Sequence, residues 1–161
     1  MAVEHQSFTI ERSIRACPGH VFAAWTDPAL KRRWFVDHEG PGWETLDYAL
    51  DFRVGGREHG RWKMAATDVT MAGEHANETV YLDIVDGERI VYAYTMAMDG
   101  RVHSASLMSV EFEESGGGTL LRLTEQGAFF DGSDGIERRK GGWEWLLGAL
   151  ASALAEEVQD A

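Results

Sequence analysis

The most constraining stretch of this chain is its last long one, Ser133 to Asp160, which reads SDGIERRKGGWEWLLGALASALAEEVQD. Trp143, Leu147, Leu150, Leu154 and Val158 recur at steps of four, three, four and four. That spacing lays one apolar stripe along a helix of about seven turns. Asp134, three residues before Glu137, is a candidate N-terminal cap. A stripe of this length needs a broad apolar surface to cover it, and the preceding chain supplies one.

That preceding chain is written mostly in period two. FTIERSI, with Phe8, Ile10 and Ile14, reads as a first strand that ends at Cys17-Pro18. Pro18 suits a first helical turn, with Val21, Phe22 and Trp25 on one face. Thr26-Asp27-Pro28 breaks that helix and caps a second, which carries Leu30, Trp34 and Phe35. After the loop Gly40–Trp43, apolar residues alternate through Tyr48, Leu50 and Phe52, then through Gly60, Trp62 and Met64. A looser segment, Thr67 to Ala76, precedes alternation at Val80, Leu82 and Ile84. Further rows run through Ile90, Tyr92, Tyr94, Met96 and Met98, through Met108, Val110 and Phe112, and through Leu121 and Leu123. Asp86-Gly87, Asp99-Gly100 and Gly116-Gly117-Gly118 mark hairpin turns between them. Consecutive hairpins imply an antiparallel meander. The expectation is an α+β helix grip: about seven curved antiparallel strands around a long C-terminal helix, with two short helices after strand 1.

At 161 residues, 1–161 reads as a single domain, long enough to bury a core without disulfides. Cys17 is the single cysteine, which leaves neither a disulfide framework nor a Cys-based zinc site. No apolar run reaches about 18 residues and no leader-like segment opens the chain, so no membrane partner and a cytoplasmic location are expected. Fifteen basic against 27 acidic residues give a net charge of −12, which argues against a nucleic-acid partner. The basic clusters Lys31-Arg32-Arg33 and Arg138-Arg139-Lys140 read as solvated helix faces. Six tryptophans in so short a chain suit a core, an interface or a pocket lining.

FTIERSIRACPGHVFAAWTDPALKRRWF resembles the opening of bacterial START-like (SRPBCC) proteins, in the group named for homology to the activator of the ninety-kilodalton heat-shock ATPase. Pro18, Val21, Phe22, Thr26, Asp27, Pro28, Leu30, Trp34 and Phe35 carry that likeness. It continues through Asp51, Gly55, Gly56 and Trp62, through Arg89 to Tyr94, through Thr119, Leu121, Leu123 and Gly127, and through Gly142, Trp143, Leu147 and Leu150. The resemblance implies a helix-grip container with an internal pocket. It names no reaction, because START-like proteins include lipid and hormone carriers, polyketide cyclases and chaperone activators.

Candidate pocket residues are Trp62, Met64, Tyr94, Met96, Met108 and Leu121 from the sheet, Trp143 and Leu147 from the closing helix, and Trp34 from the second short helix. Apolar walls with few polar groups suit a small hydrophobic or aromatic molecule, and methionines adapt to a ligand's shape. Glu125 shares the parity of Leu121 and Leu123, so it points inward unless a bulge near Gly127 turns it out. An inward carboxylate orients a ligand or, in a cyclase- or hydrolase-like enzyme, handles a proton alongside a tyrosine such as Tyr94. Gly141-Gly142, inside the helix, either permits close approach to a strand or ligand, or marks where the helix proper begins. The six histidines form no HxxxH or HxH pair, and no glycine-rich phosphate cradle or nucleophile elbow exists, so neither metal nor cofactor is expected. A chaperone ATPase-activating module is a further reading, and exposed edge strands permit a homodimer.

Overall fold

The computed structural model describes residues 2–40, 42–68 and 70–160, with side chains to residue 157. Pro41 of the expected loop, Val69 of the looser segment and the Val158 side chain of the stripe lie outside the described residues.

One open, curved antiparallel sheet contains β1 (Glu4–Ile14), β2 (Glu44–Leu50), β3 (Arg57–Met64), β4 (Gly73–Val85), β5 (Arg89–Met98), β6 (Arg101–Ser115) and β7 (Gly118–Phe129). Strands β2 to β7 meander in sequence, and β1 joins the free side of β7, giving the order β1-β7-β6-β5-β4-β3-β2. Helices α1 (Pro18–Thr26) and α2 (Pro28–Phe35) follow β1, and α3 (Gly135–Asp160) closes the chain. This is the expected α+β helix grip. Among the described residues no helix is long and apolar enough to cross a membrane.

Local chemistry sets the element boundaries. Pro18 and Pro28 occupy first-turn positions of α1 and α2, where a missing N–H leaves no gap. The Asp27 carboxylate accepts from the Ala29 and Leu30 amides at 2.9 and 3.1 Å, a cap worth about 1 kcal/mol. Asp99 and Gly100, at φ 50° and 81°, form the left-handed pair that a two-residue hairpin between β5 and β6 requires.

Trp25, Trp34, Val110, Leu121 and Leu123 pack beneath Leu147, Leu150 and Leu154, so the α3 stripe is buried as expected. Strand β4 departs from expectation. His75, Asn77, Thr79 and Tyr81 face inward, and Leu82 is 49% exposed. A register shift between Tyr81 and Asp83 then returns Ile84 to the core side. Residues 73–76 of the looser segment already belong to β4. The start of α3 differs as well: both Asp134 oxygens bind Arg139, and Ser133 Oγ receives the Gly135 amide at 3.4 Å.

Candidate functional site

The inner faces of β3, β4 and β5 do not meet the first half of α3. Between them lies a cavity of about 680 Å³. Its walls set aromatic rings among polar and charged side chains such as Glu58, Asn77 and Arg139. Trp43 stacks on Trp62 at 6.2 Å and 13°, and Trp62 stacks on His75 at 6.3 Å and 17°. Phe35 and Trp143 face each other 6.1 Å apart. Trp145 and His38, 4.5 Å apart, also line the cavity, and Trp145 is 51% exposed.

Of the expected site residues, Trp62, Met64, Tyr94, Met96 and Trp143 line this cavity. Trp34, Met108, Leu121 and Leu147 lie in the packed core beside it. Trp34 is held there by an Nε1–H bond to the Ala24 carbonyl at 2.8 Å and by its ring contact with Trp25 at 4.8 Å. Glu125 is fully buried, one layer behind the wall, and bonds to wall residues. The β6–β7 register is unbroken through Gly127, so no bulge turns Glu125 outward. A Cβ at Gly127 would meet the Phe129 ring at 2.7 Å and Ser106 Oγ at 3.0 Å. The glycine at that position makes room for its neighbours.

Glu125 anchors a polar network. Its Oε1 accepts from the Tyr94 hydroxyl at 2.6 Å, and its Oε2 accepts from Ser106 Oγ at 2.7 Å and Arg139 Nη1 at 2.9 Å. Arg139 also donates to Tyr94 Oη at 3.1 Å, to Ser104 Oγ at 2.7 Å and to both Asp134 oxygens at 2.8 and 2.9 Å. Burial opposes the Arg139 charge, but Tyr94, Glu125 and Asp134 outweigh it and hold the guanidinium above its ordinary range. Burial likewise opposes ionisation of Asp134, and Arg139 beside it draws its pKa below the usual value. Burial first, and Glu125 after it, push the Tyr94 phenol well up despite Arg139. Tyr94 is therefore a neutral donor at neutral pH, with its oxygen also occupied by Arg139 and by Trp143 Nε1–H at 3.4 Å.

The expectation of two solvated basic faces fails at one residue in each cluster. Arg139 is buried in this network, and Lys31 is buried against Glu58 at 3.0 Å with its ammonium 4.6 Å from the Phe35 ring centre. Burial draws the Lys31 pKa down against the pull of Glu58. Both positions carried a signal. Arg139 stands four residues before Trp143, and Lys31 stands three and four before Trp34 and Phe35, so each shares a helix face with buried aromatics.

His103 had no such signal. The β5–β6 register pairs Met96 with Ser104 and Ala97 with Val102, which makes His103 the extra residue of a bulge. Two consecutive side chains, His103 and Ser104, consequently both lie buried. His59 faces away from the cavity, paired with Glu78 and Asp47. Gly141 and Gly142 lie well inside α3 and line the cavity, and a Cβ at Gly142 would meet nothing within 4 Å. Of the alternatives for this pair, neither a helix start nor close packing on a strand matches Gly142, and the missing side chain leaves cavity volume. Among the described residues no group of three His, Cys, Asp or Glu side chains could hold a metal ion.

A putative uncharacterized protein from Rhizobium leguminosarum is 41% identical over 96% of this chain and 97% of its own, with a TM-score of 0.85. The Mll3558 protein from Rhizobium loti is 43% identical over 95% and 99%, with a TM-score of 0.81. Protein CV1439 from Chromobacterium violaceum, at 24% identity over 92% and 96% and a TM-score of 0.73, shares the fold. No curated protein matches the chain. The family described as Activator of Hsp90 ATPase homolog 1-like protein matches residues 15–155, and the chain belongs to that family.

Proposed function

We propose that this protein binds a small, largely aromatic molecule in the cavity between β3–β5 and α3. The cavity itself carries the reading. At about 680 Å³ it falls within the range of small-molecule sites, and its walls combine stacked aromatics with a few buried polar atoms. Trp62 Nε1, Asn77 Oδ1 and His103 Nε2 are buried on this lining without a hydrogen-bond partner among the described residues. Buried polar atoms of this kind are costly unless an occupant satisfies them.

An enzymatic reading built on Glu125 and Tyr94 has less support. Both Glu125 oxygens are taken by three donors, and the Tyr94 hydroxyl is spent on Glu125. These groups commit their hydrogen bonds to holding the shape of the wall. The chaperone-activating reading has the family's description behind it and no geometric feature of this site.

The test is a thermal-shift screen with planar aromatic compounds, paired with native mass spectrometry of the freshly purified protein. A compound at one hundred times its Kd stabilises the native state by about 2.7 kcal/mol, enough for a clear rise in Tm. No stabilisation by any aromatic compound, together with a bare mass, refutes ligand binding.

A further inference from the structure

We propose that the ligand of this cavity carries an aryl hydroxyl, which donates a hydrogen bond to His103 Nε2. The proposal rests on the binding reading above and specifies the chemistry of its ligand.

Proton accounting at His103 carries the argument. Asp134, bound by Arg139 through both oxygens, is an ionised acceptor. Ser133 Oγ lies 2.9 Å from Asp134 Oδ1, so its single proton goes to that carboxylate. His103 Nδ1 lies 3.2 Å from the same Ser133 Oγ and 3.6 Å from Asp134 Oδ1. With the serine proton committed, Nδ1 must supply the hydrogen to either neighbour. The neutral ring then carries a bare lone pair on Nε2. That atom is buried and has no partner among the described residues, and the ring lines the cavity. His103 is 3% exposed, so bulk water does not reach it freely.

The network behind the ring locks this tautomer. Arg139 fixes Asp134, Asp134 orients Ser133, and Ser133 holds Nδ1–H. The bulge at His103 delivers the ring to this place, whereas strict alternation would have turned it out. A fixed, unpaired acceptor in an aromatic-walled cavity selects a ligand that brings a donor. The stacked Trp43, Trp62 and His75 favour a flat ring to carry it. A phenolic O–H meets both demands. An ether or a carboxylate offers no proton and leaves Nε2 unsatisfied.

The experiment titrates wild-type protein with 2-naphthol, 2-methoxynaphthalene and naphthalene by isothermal calorimetry, and repeats the series with His103→Asn. Asparagine keeps a donor near Ser133 and removes the Nε2 acceptor. Wild-type protein should bind 2-naphthol about tenfold tighter than either of the other two, and H103N should reduce that preference to about twofold or less. Naphthol binding no tighter than naphthalene overturns the hydroxyl proposal and leaves the cavity reading standing. A full preference retained in H103N overturns the role of His103. Binding of none of the three overturns this proposal, and the cavity reading falls with it when the aromatic screen and the native mass are blank as well. The wild-type series alone decides the hydroxyl question if H103N does not fold.

Discussion

Replacing Arg139 by methionine tests whether the buried network is held by charge compensation or by packing. The substitution nearly conserves the length and apolar stem of the side chain and removes five hydrogen bonds, to Asp134 twice, and to Tyr94, Glu125 and Ser104. Glu125 is 0% exposed and keeps only Tyr94 and Ser106 as donors. Removing one partner of such a pair leaves an uncompensated charge and costs about 3–5 kcal/mol. Asp134 is partly exposed and adds less, because water reaches it. In a chain of this size that loss lowers Tm by roughly 6–20 °C. Urea unfolding followed by tryptophan fluorescence measures it. The decisive comparison is R139M against R139M combined with Glu125→Gln, which removes the stranded charge, keeps an acceptor oxygen for one of the Tyr94 and Ser106 hydroxyls and turns an amide donor toward the oxygen of the other. If uncompensated charge is the cost, the double variant recovers at least half of the loss. A double variant as unstable as the sum of the two singles, or an R139M loss below about 1 kcal/mol, refutes the electrostatic account.

Other outcomes follow from the same geometry. Gly142→Ala should stabilise the fold by about 0.5–1 kcal/mol in urea unfolding, because it relieves a helical glycine and meets nothing within 4 Å. Gly142→Phe should instead weaken naphthalene binding at least tenfold by filling the cavity, with Tm within a few degrees of wild type. Stability should fall with acid in two stages. Burial draws the His103 pKa below 6.5, against Asp134 and with help from Arg139 and His75, so the unfolded chain binds the proton first. Stability is then complete above pH 6.5 and declines as pH drops through the folded value. Asp134, held below 3.8, adds a second decline under that pH. A urea-midpoint series from pH 8 to pH 3 checks both stages, and H103N should shrink the first, leaving the share of His38, whose pKa burial also draws down.

The architecture was readable because burial and hydropathy agree along most of the chain. Tyr48, Leu50 and Phe52, the β5 row and the α3 stripe are apolar on the side that is covered. The cavity is where that agreement ends. Strand β4 turns His75, Asn77 and Thr79 inward and Leu82 outward, so hydropathy alternation picked the wrong face. An inner face bordering a cavity is free to be polar, and period-two reasoning carries no information about which face that is. His103 was hidden because a bulge is an event of register, visible only once β5 and β6 are paired. Lys31 and Arg139 share helix faces with aromatics, but that signal is incomplete because burying a cation also requires a partner, and Glu58 and Glu125 lie on other elements. Glu125 itself was legible from parity, since nothing interrupts the β7 ladder.

Helix α3 serves two masters along its length. Its first three turns present Arg139, Gly142, Trp143 and Leu146 to the cavity, and its later turns commit Leu147, Leu150 and Leu154 to the core. One end of the rod thus packs the core and the other borders the cavity. The lining can change at Gly142 and Leu146 without touching Leu147, Leu150 and Leu154, whereas Arg139 and Trp143 are tied into the buried network and the core. Among relatives that retain the fold at about two-fifths identity, the turn of α3 around Gly142 is where a change in cavity shape costs the core least.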